Sequence, residues 1–163
     1  MLKSLKFHKT VEIPLQRVNL IVGDNNTGKT TALQKVKTLV PVSCEIPIKI
    51  KESGIEYMDR IKDMIVKLHD STPVLFDDAQ NYWSLKSFNE LFNFIIEFTK
   101  LKNNQIFIVT HNLEIIDSVL MAGDLENLGL VYFSQTENKT SQIKLIDGKL
   151  LYRLRYKRGL DIR

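Results

Sequence analysis

The chain is predicted to fold as one α/β domain around a mostly parallel sheet, with helices on both faces and an N-terminal antiparallel strand pair. Three observations predict this. Short apolar runs, VNLIV, VLF and QIFIVT, alternate along the chain with segments whose apolar residues step by three and four. The runs are apolar at nearly every position, as strands covered on both faces are. A length of 163 residues is room for one domain with a real core and hardly for two, so 1–163 is read as a single unit.

LKSLKF and VEIPLQ alternate apolar and polar residues and form the strand pair. VNLIV is a buried strand, and the segment from Lys29 to about Val40 is a helix. PVSCEIPIKI, with two prolines, is an extended connector or an edge strand. From Ser53, the positions Met58, Ile61, Ile65 and Leu68 mark the buried face of a helix that STP ends. VLF is a short buried strand closing on Asp77 and Asp78. Ser87 and Glu90 have capping-box spacing, and Phe88, Leu91, Phe92 and Ile95 give the helix that follows its apolar face. QIFIVT is another buried strand, with a helix from about Leu113 to Met121. LGLVYFS, SQIKLI and LLYRLRY are late strands, the last two joined by a hairpin at Asp147-Gly148. Strand order does not follow from pattern.

No segment approaches the roughly 18 apolar residues of a membrane span, and MLKSLKFHKT lacks the apolar block of a secretion signal. A soluble, cytoplasmic protein with no membrane partner is expected. Cys44 stands alone, so no internal disulfide is expected, and the Asn138 sequence NKT is a chance glycosylation match. The net charge of +4 is uneven, with Arg153, Arg155, Lys157, Arg158 and Arg163 gathered at the C-terminus. Alternation there places the arginines on one face of a terminal strand. A solvated face accounts for them, and so does contact with a nucleic-acid backbone.

GDNNTGKT, Gly23 to Thr30, fits G-x-x-x-x-G-K-[ST] between a predicted strand and a predicted helix. Gly23 and Gly28 permit backbone angles that let successive N–H groups face one anion at a helix N-terminus. Asn25, Asn26, Thr27, Gly28, Lys29, Thr30 and Thr31 are then the nucleotide-binding set. Lys29 contacts the β- and γ-phosphates, and the Thr30 hydroxyl helps to hold Mg²⁺. Lys29 is expected to face solvent. An ordinary glycine-containing turn with a surface lysine is the bland alternative.

Two downstream features favour the sharper reading. PVLFDD places Asp77 at the carboxyl end of a buried strand, where the metal's second anchor belongs, and Asp78 where it can orient or deprotonate water. A turn pair capping the next segment would also suit both. QIFIVTHN puts His111 on the same sheet edge, where an imidazole can sense a γ-phosphate or simply complete a turn. These parts make the fold class a P-loop NTPase and the cofactors ATP and Mg²⁺.

Together these motifs resemble the ATP-binding-cassette class of ATPases, and within it the soluble branch of chromosome-maintenance, recombination-repair and phage-defence ATPases. Asn25 matches the GxNxxGK form, Asp77 with a following carboxylate and the switch histidine His111 match theirs, and Asn81 matches the asparagine of DEPEN. The resemblance implies a signature motif for which SGIE, Ser53 to Glu56, is the candidate. Ser53 and Gly54 would then reach the γ-phosphate in the opposite subunit of an ATP-dependent homodimer. Ser53 and Glu56 also have capping-box spacing.

Three departures stand out. Asp78 replaces glutamate, Ile55 replaces a signature glycine, and no glutamine lies between Gln34 and Gln80, so the glutamine loop and the helical subdomain or arm are missing. The expectation is therefore slow ATP hydrolysis, with Asp78, His111 and Lys29 as the catalytic set. A nucleotide-binding switch module that hydrolyses little and presents a surface to a protein partner is the second reading. DDAQ also looks like the DEAQ of some AAA-type ATPases, but those carry a helical lid where this chain is expected to end in strands.

Overall fold

In a computed structural model, residues 1–7, 11–24, 27–40, 43–46, 54–77, 85–135 and 141–161 are described. The element order is β1 (Ser4–Phe7), β2 (Val11–Pro14), β3 (Val18–Gly23), α1 (Lys29–Leu39), β4 (Cys44–Glu45), α2 (Gly54–Val66), β5 (Val74–Phe76), α3 (Leu85–Lys102), β6 (Ile106–Val109) and α4 (Leu113–Met121). A 3₁₀ turn (Leu125–Asn127), β7 (Leu128–Gln135), β8 (Ser141–Asp147), α5 (Gly148–Tyr152) and a π-helical turn (Arg153–Lys157) follow.

β1 and β2 pair antiparallel, with Leu5 opposite Ile13. The other strands form a six-stranded sheet in the order β4-β5-β6-β3-β7-β8. All its pairs are parallel except β7 with β8. This is the mostly parallel α/β sheet with a separate N-terminal pair that the sequence predicts.

Strand alternation sends side chains to two cores. Val18, Leu20 and Val22 of β3 and Ile106 and Ile108 of β6 pack with Ile61 and Ile65 of α2, Phe88, Leu91, Phe92 and Ile95 of α3, and Ile115, Ile116 and Val119 of α4. Phe88 bridges Phe76 and Phe92, stacking on the second with ring centroids 5.5 Å apart. On the opposite face Ile21, Phe107 and Val131 pack with Ala32, Leu33 and Val36 of α1 and with Leu5 and Ile13 of the strand pair. The sheet is therefore covered on both sides, which is why its central strands carry apolar residues at nearly every position. Asn19, the polar residue inside β3, is satisfied through Gln16 and the Ile106 carbonyl.

The chain's end departs from expectation. LLYRLRY is helical, and Asp147-Gly148 is its start. The Asp147 carboxylate accepts the Leu150 N–H at 2.8 Å and caps α5. Gly148 is packed so closely that a Cβ there would lie 2.4 Å from the Leu125 carbonyl oxygen. Leu151 anchors the turn in the core. The period-two pattern of this segment is thus coincidental, and its arginines do not share a strand face. A smaller correction concerns Ser87, which lies inside α3. That helix begins at Leu85, so Ser87 and Glu90 are no capping box. Among the described residues no helix is long and apolar enough to cross a membrane.

Candidate functional site at the carboxyl ends of the strands

β3 and β6 are neighbours, yet the helices that follow them lie on opposite faces of the sheet. α1 leaves β3 for the face that holds Leu5 and Phe107, and α4 leaves β6 for the face that holds Phe88 and Ile95. Two adjacent parallel strands whose connections part in this way leave a crevice outside their carboxyl ends, the usual position of a ligand in an open α/β sheet. Gly23 closes β3 at this point and Thr110 and His111 follow β6 beside it, held across by the Thr110 N–H donating to the Ile21 carbonyl at 3.2 Å.

The turn is built from its own carbonyls. Thr27 Oγ1 donates to the Asp24 carbonyl at 2.7 Å, and Thr27 is buried. Lys29 Nζ curls back to donate to the Gly23 carbonyl at 2.8 Å and the Asp24 carbonyl at 2.6 Å. The expectation of a solvent-facing Lys29 is therefore corrected: the residue is 9 % exposed, with its ammonium drawn into the mouth of the turn. A buried cation needs such acceptors. The Asp24 backbone is a contributor that sequence could not reveal, because a carbonyl's role leaves no side-chain signal.

Gly28 is the N-cap of α1, in the left-handed region with φ 105°, and has no side chain to offer the helix. No acidic residue lies in the first turn of α1. α4 contrasts, since the Asn112 side chain accepts the Glu114 N–H and Glu114 itself lies in the first turn. Among the described residues, therefore, no side chain caps the positive end of the α1 dipole. Thr30 and Thr31 are exposed in that first turn.

Asp77 immediately follows Phe76, which pairs with Ile108 on β6, and is half-buried. His111 follows by two residues Val109, the partner of Ile21, and is exposed. The carboxyl ends of β5, β6 and β3 therefore place Asp77, His111 and the Lys29 turn side by side along one sheet edge. Gly54 is the first residue of α2. Asn25, Asn26, Ser53, Asp78 and Asn81 lie outside the described residues. Cys44 is buried, and burial first, then the Glu45 charge, push its thiol up to about 11.

No protein-family model matches the chain, and no curated protein matches it in sequence.

Proposed function

We propose that this chain binds Mg-ATP at the β3–α1 turn and hydrolyses it slowly as an ATP-dependent homodimer, in the manner of an ATP-binding-cassette-type P-loop ATPase. The observation that carries the reading is that the Lys29 turn stands where the connections of β3 and β6 part, with Asp77 at the end of β5, the strand on the far side of β6. In this reading the ammonium of Lys29 exchanges its two carbonyls for β- and γ-phosphate oxygens. Backbone N–H groups of Gly28, Lys29, Thr30 and Thr31 take up the remaining phosphate charge. The donor set suits Mg²⁺, which is usually held by one or two protein oxygens together with substrate phosphates: here Thr30 and Asp77. When bound, the ion neutralises charge on the transferring phosphoryl group. Asp78 orients and deprotonates water, His111 senses the γ-phosphate, and Ser53 with Gly54 reaches the partner subunit's nucleotide.

A switch module that hydrolyses little remains the second reading, favoured by Asp78 standing where resemblance expects the longer glutamate. The AAA-type reading has no observation of its own: α5 is five residues long and packs on β7, β8 and the Leu125–Asn127 turn.

Steady-state phosphate release tests the proposal. Parent protein is expected to release phosphate from Mg-ATP, and Asp78→Asn to bind ATP while losing roughly 10²–10⁴-fold in rate, the usual contribution of a positioned base. ATP should drive Asp78→Asn into a dimer visible by sedimentation. Hydrolysis by Asp78→Asn at the parent rate would place the base elsewhere. ATP binding by the parent with no turnover would favour the switch.

A further inference from the structure

We propose that the C-terminal helical segment, from α5 through the π turn, is a binding surface for single-stranded nucleic acid. The inference is independent of the nucleotide reading. Residues 148–163 hold six Lys and Arg against one Asp, whereas the first 147 residues hold 17 basic and 18 acidic residues. The chain's whole excess of positive charge therefore belongs to this segment.

The structure sorts those cations. Arg155 is committed internally, its Nε and Nη2 donating to the two carboxylate oxygens of Asp117 at 2.8 Å each. That fork pins the segment to α4. Lys149 meets Glu126 at 3.0 Å. Arg153, Lys157 and Arg158 are exposed, and no hydrogen bond or ion pair among the described residues engages their side chains. The i→i+5 bonding of a π turn brings residue 158 round to the side of residue 153, so these cations gather along one side.

Beside them stand two aromatic rings. Tyr152 and Tyr156 are 37 % and 45 % exposed, with centroids 4.8 Å apart and planes inclined at 42°. Burial first, then the Asp117 charge, raises the Tyr156 phenol above its ordinary range. Exposed neutral rings beside uncommitted cations match the two needs of a single strand, a π-face for an unpaired base and positive charge for its phosphates. An acidic peptide would pair with the cations, whereas a nucleic-acid strand pairs with the cations and also brings a planar base to each ring. An anionic bilayer would need a broad apolar face; Leu150 and Leu160 are exposed here, but Leu151 is turned into the core and Arg153, Lys157 and Arg158 interrupt what is left.

The test is fluorescence anisotropy of labelled oligothymidylate and oligouridylate of about 20 nucleotides, without ATP. Three phosphate contacts at roughly 0.7 each in the salt exponent predict about a twentyfold loss of affinity from about 50 to about 200 mM salt. Lys157→Glu with Arg158→Glu should weaken binding about tenfold or more, whereas Lys67→Glu with Lys86→Glu, an equal change of charge elsewhere, should alter it about twofold or less. Tyr152→Ala and Tyr156→Ala should each cost about fivefold or more. Thermal unfolding checks that each variant is folded, and Lys157→Gln with Arg158→Gln replaces the reversed pair if that pair folds poorly. No binding at low salt overturns the proposal, as do equal losses from both charge pairs, parent-like binding by the tyrosine variants, or capture by anionic vesicles but not by the oligonucleotides.

Discussion

Lys29→Met protein is expected to remain folded and to bind ATP roughly a hundredfold to ten-thousandfold more weakly than the parent. The estimate takes two charge-assisted hydrogen bonds to phosphate oxygens, each worth roughly 1.5–3 kcal/mol. Methionine is preferred to alanine because Lys29 is buried. Its stem fills space, and removing it as well would confuse lost packing with lost charge. Even so, the carbonyls of Gly23 and Asp24 lose a donor, so some destabilisation, about 1–3 kcal/mol, is expected alongside the loss of affinity. Equilibrium titration with ATP, paired with thermal unfolding, separates the two effects. A folded Lys29→Met protein with parent affinity would remove the β3–α1 turn as the nucleotide site.

Gly23→Ala is expected to destabilise the protein by about 3–5 kcal/mol, a fall of roughly 6–20 °C in unfolding midpoint. A Cβ on Gly23 would lie 1.9 Å from the Phe133 carbonyl oxygen and 2.7 Å from its carbonyl carbon. Both are backbone atoms of β7, the strand with which Gly23 makes its last parallel pair, so neither can swing aside. The φ of 137° adds a conformation that alanine rarely adopts. Either the end of the β3–β7 ladder opens or both strands shift. The first glycine of the motif is thus demanded by the sheet itself, whatever the turn binds. An unfolding midpoint equal to the parent's would show that β7 can yield here.

The elements best read from sequence are those whose signals are local. α1 and α4 begin where predicted because the Gly28-Lys29 turn and the Asn112 cap lie at their own ends, followed by apolar residues at helical spacing. VNLIV, VLF and IFIV were legible because burial on both faces leaves no polar alternation to confuse them. Strand order was not, since it depends on pairings such as Ile21 with Val109 and Val131, which are remote in the chain. α5 was misread for a related reason. Its alternating LYRLRY favours a strand locally, but Gly148 against Leu125 and Leu151 in the core are tertiary contacts that override it. The site divides in the same way. The glycines, Lys29, Asp77 and His111 announce themselves by residue type, while the burial of Lys29 and the demand of Phe133 on Gly23 are written in three dimensions.

The most direct test of the central claim is the unfolding midpoint of the parent protein as Mg-ATP is raised into the millimolar range. A ligand bound to the folded state adds about 1.4 kcal/mol of stability per tenfold concentration once its Kd is passed. For a chain of this size, that is a rise of roughly 3–6 °C per decade. The account predicts such a rise, with the onset for Lys29→Met displaced to higher concentration. A midpoint that does not move with Mg-ATP would contradict it.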